Sequence, residues 1–210
     1  MTITPDDTFF NTIKQAMAAL TEADLDIARA LSLVGAPSPR ERDKRFAAFF
    51  STIISQQIST ESARTIMGLV NTLCPELHAK AVIEVEGQAV RDAGPSWRKV
   101  EYAIGLAEAE LAGTFNADGL EHLSDEEVIT TITQLRSFGR WSAEIYLMFS
   151  LKRPETFPAD DLDLRVALGR LKGMDNKPSP KQTLQLVEHW SPWCSVGSLF
   201  LWDYYRDEPM

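Results

Sequence analysis

The segment LRSFGRWSAEIYLMFSLKRPETFPADDLDLR, residues 135–165, decides the fold of this chain. It predicts the end of one helix, a turn centred on Gly139, a second helix from about Trp141, a loop with two prolines and an acidic helix start. A hairpin of this form leaves N–H groups of its turn and of the next helix without partners, and these can bind one phosphate. Asp160 and Asp161 follow further along. A phosphate site with a carboxylate at a fixed spacing beyond it indicates chemistry on a nucleotide.

The rest of the 210-residue chain is predicted to be all-α. Apolar residues recur at helical spacings, whereas alternating apolar and polar runs are nearly absent. A hydrophobic content of 44% is enough for a real core. One helix is predicted to end near Gly35, and a buried core helix covers residues 46–54. Ser38, Pro39 and Glu41 form a capping-box pattern that would open this core helix and mark the entry to a domain.

Charge and cysteine content limit the classes of protein to which the chain can belong. A net charge of −9 is opposite to that of general nucleic-acid binders, so any DNA contact must rest on a local face and should be abolished readily by salt. Cys74 and Cys194 are too few for an iron–sulfur cluster, which needs about four thiolates, and we expect two buried free thiols. No signal peptide and no apolar run of roughly 20 residues is present, so we expect a soluble cytoplasmic protein. We also expect no cofactor.

The hairpin and the acidic segment together resemble the helix-hairpin-helix DNA glycosylase superfamily, and within it the 3-methyladenine DNA glycosylase II branch. That branch has a hairpin close to L-P-G-I-G-x-W-T-A and then a Phe-Pro-x-x-Asp-Leu segment whose Asp is catalytic. The matching residues are Leu135, Phe138, Gly139, Trp141, Ser142, Ala143, Phe157, Pro158, Asp161 and Leu162. Ser137 replaces the first glycine of the hairpin, so a less tight turn is expected. With a tryptophan-rich ending that matches the same branch, the resemblance extends over roughly residues 46–202.

The resemblance implies an all-α fold with two helical subdomains that flank a cleft. Residues 36–150 would form a six-helix body ending in the helix-hairpin-helix motif. Residues 1–35 and 151–210 would form the second subdomain, which carries the catalytic carboxylate. The partner would be double-stranded DNA with damaged bases, bound by a monomer. The activity would be hydrolysis of the N-glycosidic bond of alkylated purines such as 3-methyladenine, in base excision repair.

Asp161 is the predicted catalytic residue. Breaking an N-glycosidic bond builds positive charge on the sugar, and a carboxylate beside C1′ stabilises that charge and can orient or deprotonate the attacking water. An aspartate at a helix start is also a common N-cap. We expect Asp160 to be the cap and Asp161 the catalyst, with its charged form favoured by the helix N-terminus. Asp163 is expected to be solvated.

Trp141 and Trp202 match two family positions that line the base pocket. Electron-rich rings attract and stack on cationic alkylated purines, although each ring could instead belong to the core. Tyr146 is expected to add a ring, because Ile145 stands where some relatives have tyrosine. Bifunctional glycosylases carry a lysine at the position of Trp141, and its amine forms a Schiff base with the sugar. An indole cannot do so, which predicts a monofunctional enzyme without lyase activity.

The resemblance also assigns the DNA contacts. Gln57, between two helices, would intercalate into the gap left by the flipped nucleotide, where its amide can bond the orphaned base; a plain polar loop is the alternative. Phosphate binding is assigned to the hairpin residues Ser137, Phe138, Gly139, Arg140 and Ser142. No metal ligand set is predicted, although hairpin carbonyls of residues 135–140 can hold a monovalent cation in relatives. Arg98 or Lys99, within a Gly-x-Ser-x-x-Lys pattern, could reach a phosphate.

Three other functions stay open from the sequence. A non-catalytic helix-hairpin-helix DNA-binding module would need neither Asp161 nor the pocket tryptophans. A glycosylase for another damaged base, such as an oxidised-purine or mismatch enzyme, is disfavoured by the missing lysine and the missing cluster. The acidic charge would also fit a helical protein–protein adaptor, which the hairpin disfavours.

Overall fold

The structure is a computed structural model that describes residues 5–40, 42 and 44–207, with side chains from residue 11 to residue 206. Regular secondary structure in this part of the chain is entirely helical, which confirms the all-α prediction. No helix found there combines the length and apolar character needed to cross a bilayer. The α-helices are α1 (Pro5–Ala23), α2 (Leu25–Val34), α3 (Phe46–Ser55), α4 (Thr60–Leu73), α5 (Ala79–Glu84), α6 (Gly87–Asp92), α7 (Trp97–Leu111), α8 (Asp125–Thr133), α9 (Arg140–Phe149), α10 (Leu162–Leu171), α11 (Pro180–Val187) and α12 (Cys194–Asp207), and short 3₁₀ helices cover Asp118–His122 and Glu188–Trp190.

The chain forms two compact units. Unit 1 combines Met1–Glu41 with Leu147–Met210, and unit 2 is the continuous segment Arg42–Tyr146. The second boundary therefore falls inside α9, whose last turn belongs to unit 1. The division predicted from the sequence falls after residues 35 and 150, at the ends of predicted helices. The boundary inside α9 could not be predicted, because a helix shared by two units shows no break in its sequence pattern.

The core of unit 2 is organised around Phe49 on α3. Its ring centroid lies 5.0 Å from that of Phe115, 5.6 Å from that of Phe138 and 4.6 Å from that of Tyr146. The first two pairs are edge-to-face, an arrangement that aromatic quadrupoles favour. This cluster fixes the hairpin to the core helix, because Phe138 lies inside the hairpin turn itself.

The capping-box pattern that begins at Ser38 does not start a helix, so that prediction is wrong. Residues 36–40 are not helical, and Glu41 lies outside the described residues. Within unit 1, Arg40 instead donates to the carboxylate of Asp203 on α12 at 2.7 Å. Helix α3 begins later and without a side-chain cap. A long-range ion pair thus prevails over a local capping signal, which on its own is worth about 1 kcal/mol.

A buried carboxylate joins three elements of unit 1. Asp24 caps α2 by accepting from the N–H of Asp26 at 3.1 Å. Its oxygens also accept from Nζ of Lys172, at 2.8 and 2.7 Å, and from Nε1 of Trp190 at 2.7 Å. Nε2 of His189 lies 3.0 Å from the same carboxylate. Because Asp24 is 5% exposed, these partners offset the cost of burying its charge.

The partners of Asp24 determine its protonation. Burial raises the pKa of this carboxylate, but the hydrogen bonds from Lys172 and Trp190 outweigh that effect and lower the pKa from 3.8 to about 2. Since the folded pKa lies below the unfolded value, the resulting stability is present above pH 4 or so and is lost as pH falls towards about 2.

The two cysteines lie in different units and are not bridged. Cys74 and Cys194 are both buried free thiols, which confirms the prediction. Burial raises the pKa of Cys74, and it raises the pKa of Cys194 to about 11.

We expect Asp24→Asn to lower the free energy of unfolding by roughly 3 kcal/mol at neutral pH, because it breaks a buried charge pair with Lys172. The difference from wild type should shrink as pH falls from about 4 to about 2, measured by urea unfolding across that range. Asp26→Asn is the control: Asp26 also contacts Lys172, at 2.9 Å, but its side chain is 29% exposed, so its loss should cost less. Equal losses for both variants would contradict the role given to Asp24.

Candidate functional site

The hairpin turn between α8 and α9 is set by Ser137. This residue has φ of 76°, the left-handed region, whereas Gly139 does not. The predicted turn centred on Gly139 is therefore shifted, and α9 starts at Arg140 rather than Trp141. Ser137 stands where the family pattern has glycine, so a tight turn is kept at the cost of placing a non-glycine residue in a disfavoured conformation.

Not all hairpin amides are available to a ligand. The N–H of Phe138 donates to the carbonyl of Leu135 at 3.2 Å, so this amide already has an acceptor, and the assignment of Phe138 to phosphate binding stays a prediction. In the part of the chain that the structure describes, the N–H groups of Gly139, Arg140 and Ser142 donate no hydrogen bond. These three amides come at the first turn of α9, where a helix offers unpaired donors and the positive end of its dipole.

The side chain of Arg140 already has a partner. Its Nε lies 2.9 Å from Oε1 of Glu144, one helical turn later. The guanidinium side chain is 54% exposed and has further N–H donors, so the predicted charge-assisted contact still fits the geometry.

The loop between α3 and α4 is tied to the hairpin within unit 2. Nε2 of Gln56 donates to the carbonyl of Ser137 at 3.0 Å. The next residue, Gln57, is exposed and has φ of 58°. Ile58 beyond it is 37% exposed. The loop that carries the predicted intercalating residue is thus anchored to the hairpin turn through its neighbour Gln56, a contact that the sequence analysis missed, although the Gln-Gln pair marked the place.

Lys99 acts on the same loop from α7. Its Nζ donates to the carbonyl of Ile54, in the last turn of α3, at 2.6 Å. Burial lowers the pKa of this ammonium. A cation at the end of a helix satisfies an otherwise unpaired carbonyl and interacts favourably with the dipole. Lys99 therefore supports the segment that leads to Gln57, instead of standing free to reach a phosphate.

The aromatic residues predicted to line a base pocket have different surroundings in unit 2. Trp141 is 44% exposed in the first turn of α9. Tyr146 is 6% exposed, packs on Phe49, and donates its hydroxyl to the carbonyl of Lys44. These contacts account for Tyr146 as a core residue, and its assignment to a base pocket stays a prediction.

Asp161, in unit 1, is itself the N-cap of α10. Its Oδ1 accepts from the N–H of Leu164 at 3.0 Å. The expectation that Asp160 would be the cap is wrong: Asp160 is exposed, and the loop turns at Pro158, whose carbonyl accepts from the N–H of Asp161 at 3.0 Å. Asp163 is exposed, as predicted. The cap uses one carboxylate oxygen and fixes the orientation of the other.

Trp202 on α12 contacts the same carboxylate. Its Nε1 lies 3.4 Å from Oδ1 of Asp161, and its ring centroid lies 5.9 Å from that of Phe149. The side chain is half-buried, so part of its surface is open to solvent. Sequence analysis named Trp202 only as a pocket ring and missed this contact, because no pattern links residues forty positions apart in sequence.

The hairpin carbonyls keep some capacity for a cation. The carbonyls of Ser137 and Gly139 each accept one hydrogen bond, from Gln56 and Ala143 respectively. A carbonyl oxygen has a second lone pair, so the turn can still coordinate a monovalent cation. The cation stays a prediction.

Residues 50–192 match the family model of HhH-GPD superfamily base excision DNA repair proteins. Among curated proteins, the chain is 34% identical over 123 residues to a Bacillus subtilis protein provisionally named a DNA-3-methyladenine glycosylase; the match covers 59% of this chain and 43% of that protein. It is 26% identical over 203 residues to DNA-3-methyladenine glycosylase 1 of Schizosaccharomyces pombe, covering 90% of this chain and 89% of that protein. The chain spans less than half of the first relative and most of the second.

Solved structures give a consistent result. A Schizosaccharomyces pombe 3-methyladenine DNA glycosylase in complex with abasic DNA matches with a TM-score of 0.77 and 27% identity, covering 90% of this chain and 95% of that chain. A DNA-3-methyladenine glycosidase from Bacillus halodurans matches with a TM-score of 0.78 and 27% identity, covering 90% and 88%.

We expect Ser137→Gly to raise the free energy of unfolding by about 1 kcal/mol, because glycine adopts the left-handed conformation without steric cost. The hydroxyl of Ser137 is also buried without a hydrogen-bond partner, so its removal loses no bond. Thermal and urea unfolding measure the gain. Ser137→Ala, which removes the hydroxyl but keeps a side chain at this φ, separates the two causes. A loss of stability in Ser137→Gly would contradict the backbone argument.

Proposed function

Because the chain belongs to the HhH-GPD superfamily of base excision DNA repair proteins, we propose that it is a monofunctional DNA glycosylase that hydrolyses the N-glycosidic bond of alkylated purines of the 3-methyladenine kind. The observation that carries the proposal is the Asp161 carboxylate, held by the Leu164 amide and lying beside the Trp202 indole, in a chain that also has a hairpin with available amides. The names of relatives over most of this chain support the substrate class.

In this mechanism Asp161 stabilises the sugar cation. As the C1′–N bond lengthens, its electron pair leaves with the base, and positive charge grows on the ring oxygen and C1′. A carboxylate whose orientation is already fixed meets that charge without reorganisation, which is the main source of such stabilisation. The hydrogen bond from the Leu164 amide to Oδ1 fixes the orientation of the carboxylate, which we assign to the sugar cation and to the water that adds at C1′. The oxygen of that water bonds to C1′ and its proton passes to the Asp161 carboxylate and then to solvent; the base keeps the electron pair of the broken bond, and an abasic site remains.

The tryptophans supply recognition of a cationic base. Trp141 exposes 44% of its surface, and Trp202 is half-buried with its N–H directed to Asp161. An indole face attracts a positively charged purine by about 1 to 2 kcal/mol more than it attracts a neutral one. A base that already carries positive charge is also a good leaving group. Hydrolysis of an alkylated purine therefore needs less stabilisation of the sugar cation by Asp161 than hydrolysis of a normal purine.

DNA is held without a strongly basic surface. On a chain with net charge −9, the amides of Gly139, Arg140 and Ser142 offer a phosphate directional donors that need no counter-charge. Gln57 is exposed, has a left-handed backbone and lies on a loop anchored by Gln56. We therefore assign it to the gap that the flipped nucleotide leaves in the duplex. Base extrusion costs a few kcal/mol, least for weakened pairs, which favours damaged bases.

A second function is a DNA-binding module without catalysis. One observation favours it: N-capping alone gives Asp161 a sufficient structural reason to be there. The two functions make opposite predictions for a variant that keeps the cap and loses the charge.

We expect Asp161→Asn to lower the rate of methylated-purine release from alkylated duplex DNA by at least about a thousandfold, with DNA binding retained, because an amide cannot balance the sugar cation. The Asn side-chain oxygen still accepts from the Leu164 amide, and Asn caps helices as well as Asp, so unfolding should be unchanged. Asp160→Asn, which removes an equal charge from the adjacent exposed residue, is the matched control and should retain full activity. Activity of Asp161→Asn close to wild type would leave the non-catalytic module as the better description.

Trp141 leads to a separate expectation about the covalent chemistry. Borohydride reduction during turnover should trap no protein–DNA adduct, since Trp141 provides no amine to attack the sugar. A lysine-dependent bifunctional glycosylase treated in parallel serves as the positive control. A stable adduct of this protein would overturn the monofunctional assignment while leaving glycosylase activity intact.

A further inference from the structure

A tyrosine and two arginines form a cluster beside the hairpin in unit 2. Nε of Arg98, on α7, donates to the hydroxyl of Tyr102 at 2.7 Å, and its Cζ lies 5.7 Å from the centroid of the Tyr102 ring. Cζ of Arg136 lies 5.8 Å from the same centroid. Both distances are within the range of cation–π attraction, so one ring holds two guanidinium groups close together.

The two cations are exposed and are not neutralised by carboxylates. Both side chains are exposed, and among the described residues neither forms an ion pair. Several other cations of unit 2 do form ion pairs: Arg45 with Asp118, Lys80 with Glu84 and Arg140 with Glu144. In a chain of net charge −9, two adjacent unpaired arginines are a local positive site in a mainly acidic field.

The position of Arg136 connects this cluster to the phosphate-binding turn. Arg136 immediately precedes Ser137, the left-handed residue, and the turn closes across it through the bond from the Phe138 amide to the Leu135 carbonyl. The available amides begin at Gly139, three residues on. The hairpin pattern of the family has proline where this chain has Arg136, so the cluster belongs to this chain's own sequence.

Two carboxylates also face this region. Glu101 and Glu108 line the same cleft, of about 400 Å³, with Tyr102, Gln134 and Arg136. Neither forms an ion pair with the two arginines among the described residues, so the guanidinium donors stay available. The carboxylates disfavour deep entry of an anion, and a phosphate would therefore contact the exposed guanidinium ends rather than the cleft floor.

We infer that Arg98 and Arg136, held by Tyr102, bind a second backbone phosphate of the DNA strand whose first phosphate sits on the hairpin amides. This inference rests on the DNA-binding part of the proposed function and not on catalysis. A guanidinium binds phosphate oxygens through two parallel N–H donors, and Tyr102 limits the rotamer freedom that each arginine would lose on binding.

The test is the salt dependence of binding to a duplex with an abasic-site analogue, followed by fluorescence anisotropy. Arg98→Gln and Arg136→Gln should each weaken binding about fivefold near physiological salt and reduce the slope of log K against log salt, and the double variant should reduce it by about 0.9, the value for one lost phosphate contact. Lys80→Gln is the matched control, since it removes one positive charge from unit 2 that Glu84 already neutralises. It should leave the slope unchanged. Glu101→Gln should strengthen binding slightly.

Arg136→Lys tests whether the slope follows the charge at this position. It keeps the charge and, because an ammonium also attracts an aromatic face, can keep the contact with Tyr102, so it should retain most of the slope that Arg136→Gln loses. Thermal unfolding of each variant identifies any effect on the fold, because Arg98 and Arg136 are exposed and their loss should shift stability little.

The outcome is distinguishable from failure of the proposed function. Gly139→Leu, whose added Cβ meets no atom within 4 Å and so should fold normally, is expected to weaken binding through the hairpin itself. If Gly139→Leu weakens binding but both arginine variants keep the wild-type affinity and slope, the second phosphate site is refuted and the glycosylase proposal stands. If the arginine variants lose slope while the wild-type protein releases no methylated base, the site stands and the enzymatic proposal fails.

Discussion

The hydrogen bond from Gln56 to the carbonyl of Ser137 is the contact on which the candidate DNA-binding surface depends. It joins a loop that carries an exposed left-handed glutamine to a turn that exposes unpaired amides. Both partners lie in unit 2, and the contact of Phe49 with Phe138 fixes the same hairpin to the core. Two backbone segments in disfavoured conformations persist because packing and this bond over-determine them, a situation frequent at ligand sites.

Helix termini are used for two purposes in this molecule. In unit 2, Lys99 satisfies a carbonyl near the end of α3, while the amides of Gly139, Arg140 and Ser142 donate no hydrogen bond within the part of the chain that the structure describes. In unit 1, the Asp161 side chain satisfies the start of α10 by accepting from the N–H of Leu164. Unpaired polar groups cost free energy, so leaving them unpaired at one terminus while capping others is consistent with a ligand that pairs them when bound.

The arginine–tyrosine cluster and the Asp24 network differ in the burial of their charged groups. Asp24 is enclosed, its partners are internal, and its lowered pKa is a contribution to stability. Arg98 and Arg136 stand at the surface against Tyr102, and among the described residues neither forms an ion pair. Burial decides whether a charge holds the fold or meets a ligand.

The sequence by itself determined the helical class, the hairpin, the free thiols and the family, because helical periodicity, turn residues and short motifs are local in the chain. It also selected Asp161, but it gave the cap to Asp160, since two adjacent aspartates are locally equivalent. Only the tertiary structure decided which of them caps α10, that Trp202 reaches the same carboxylate, that the amide of Phe138 is already used, and that Arg40 pairs with Asp203 where a capping box was predicted. Each of these depends on which groups meet after the chain has folded, and pairwise contacts between residues far apart in sequence leave no periodic signal.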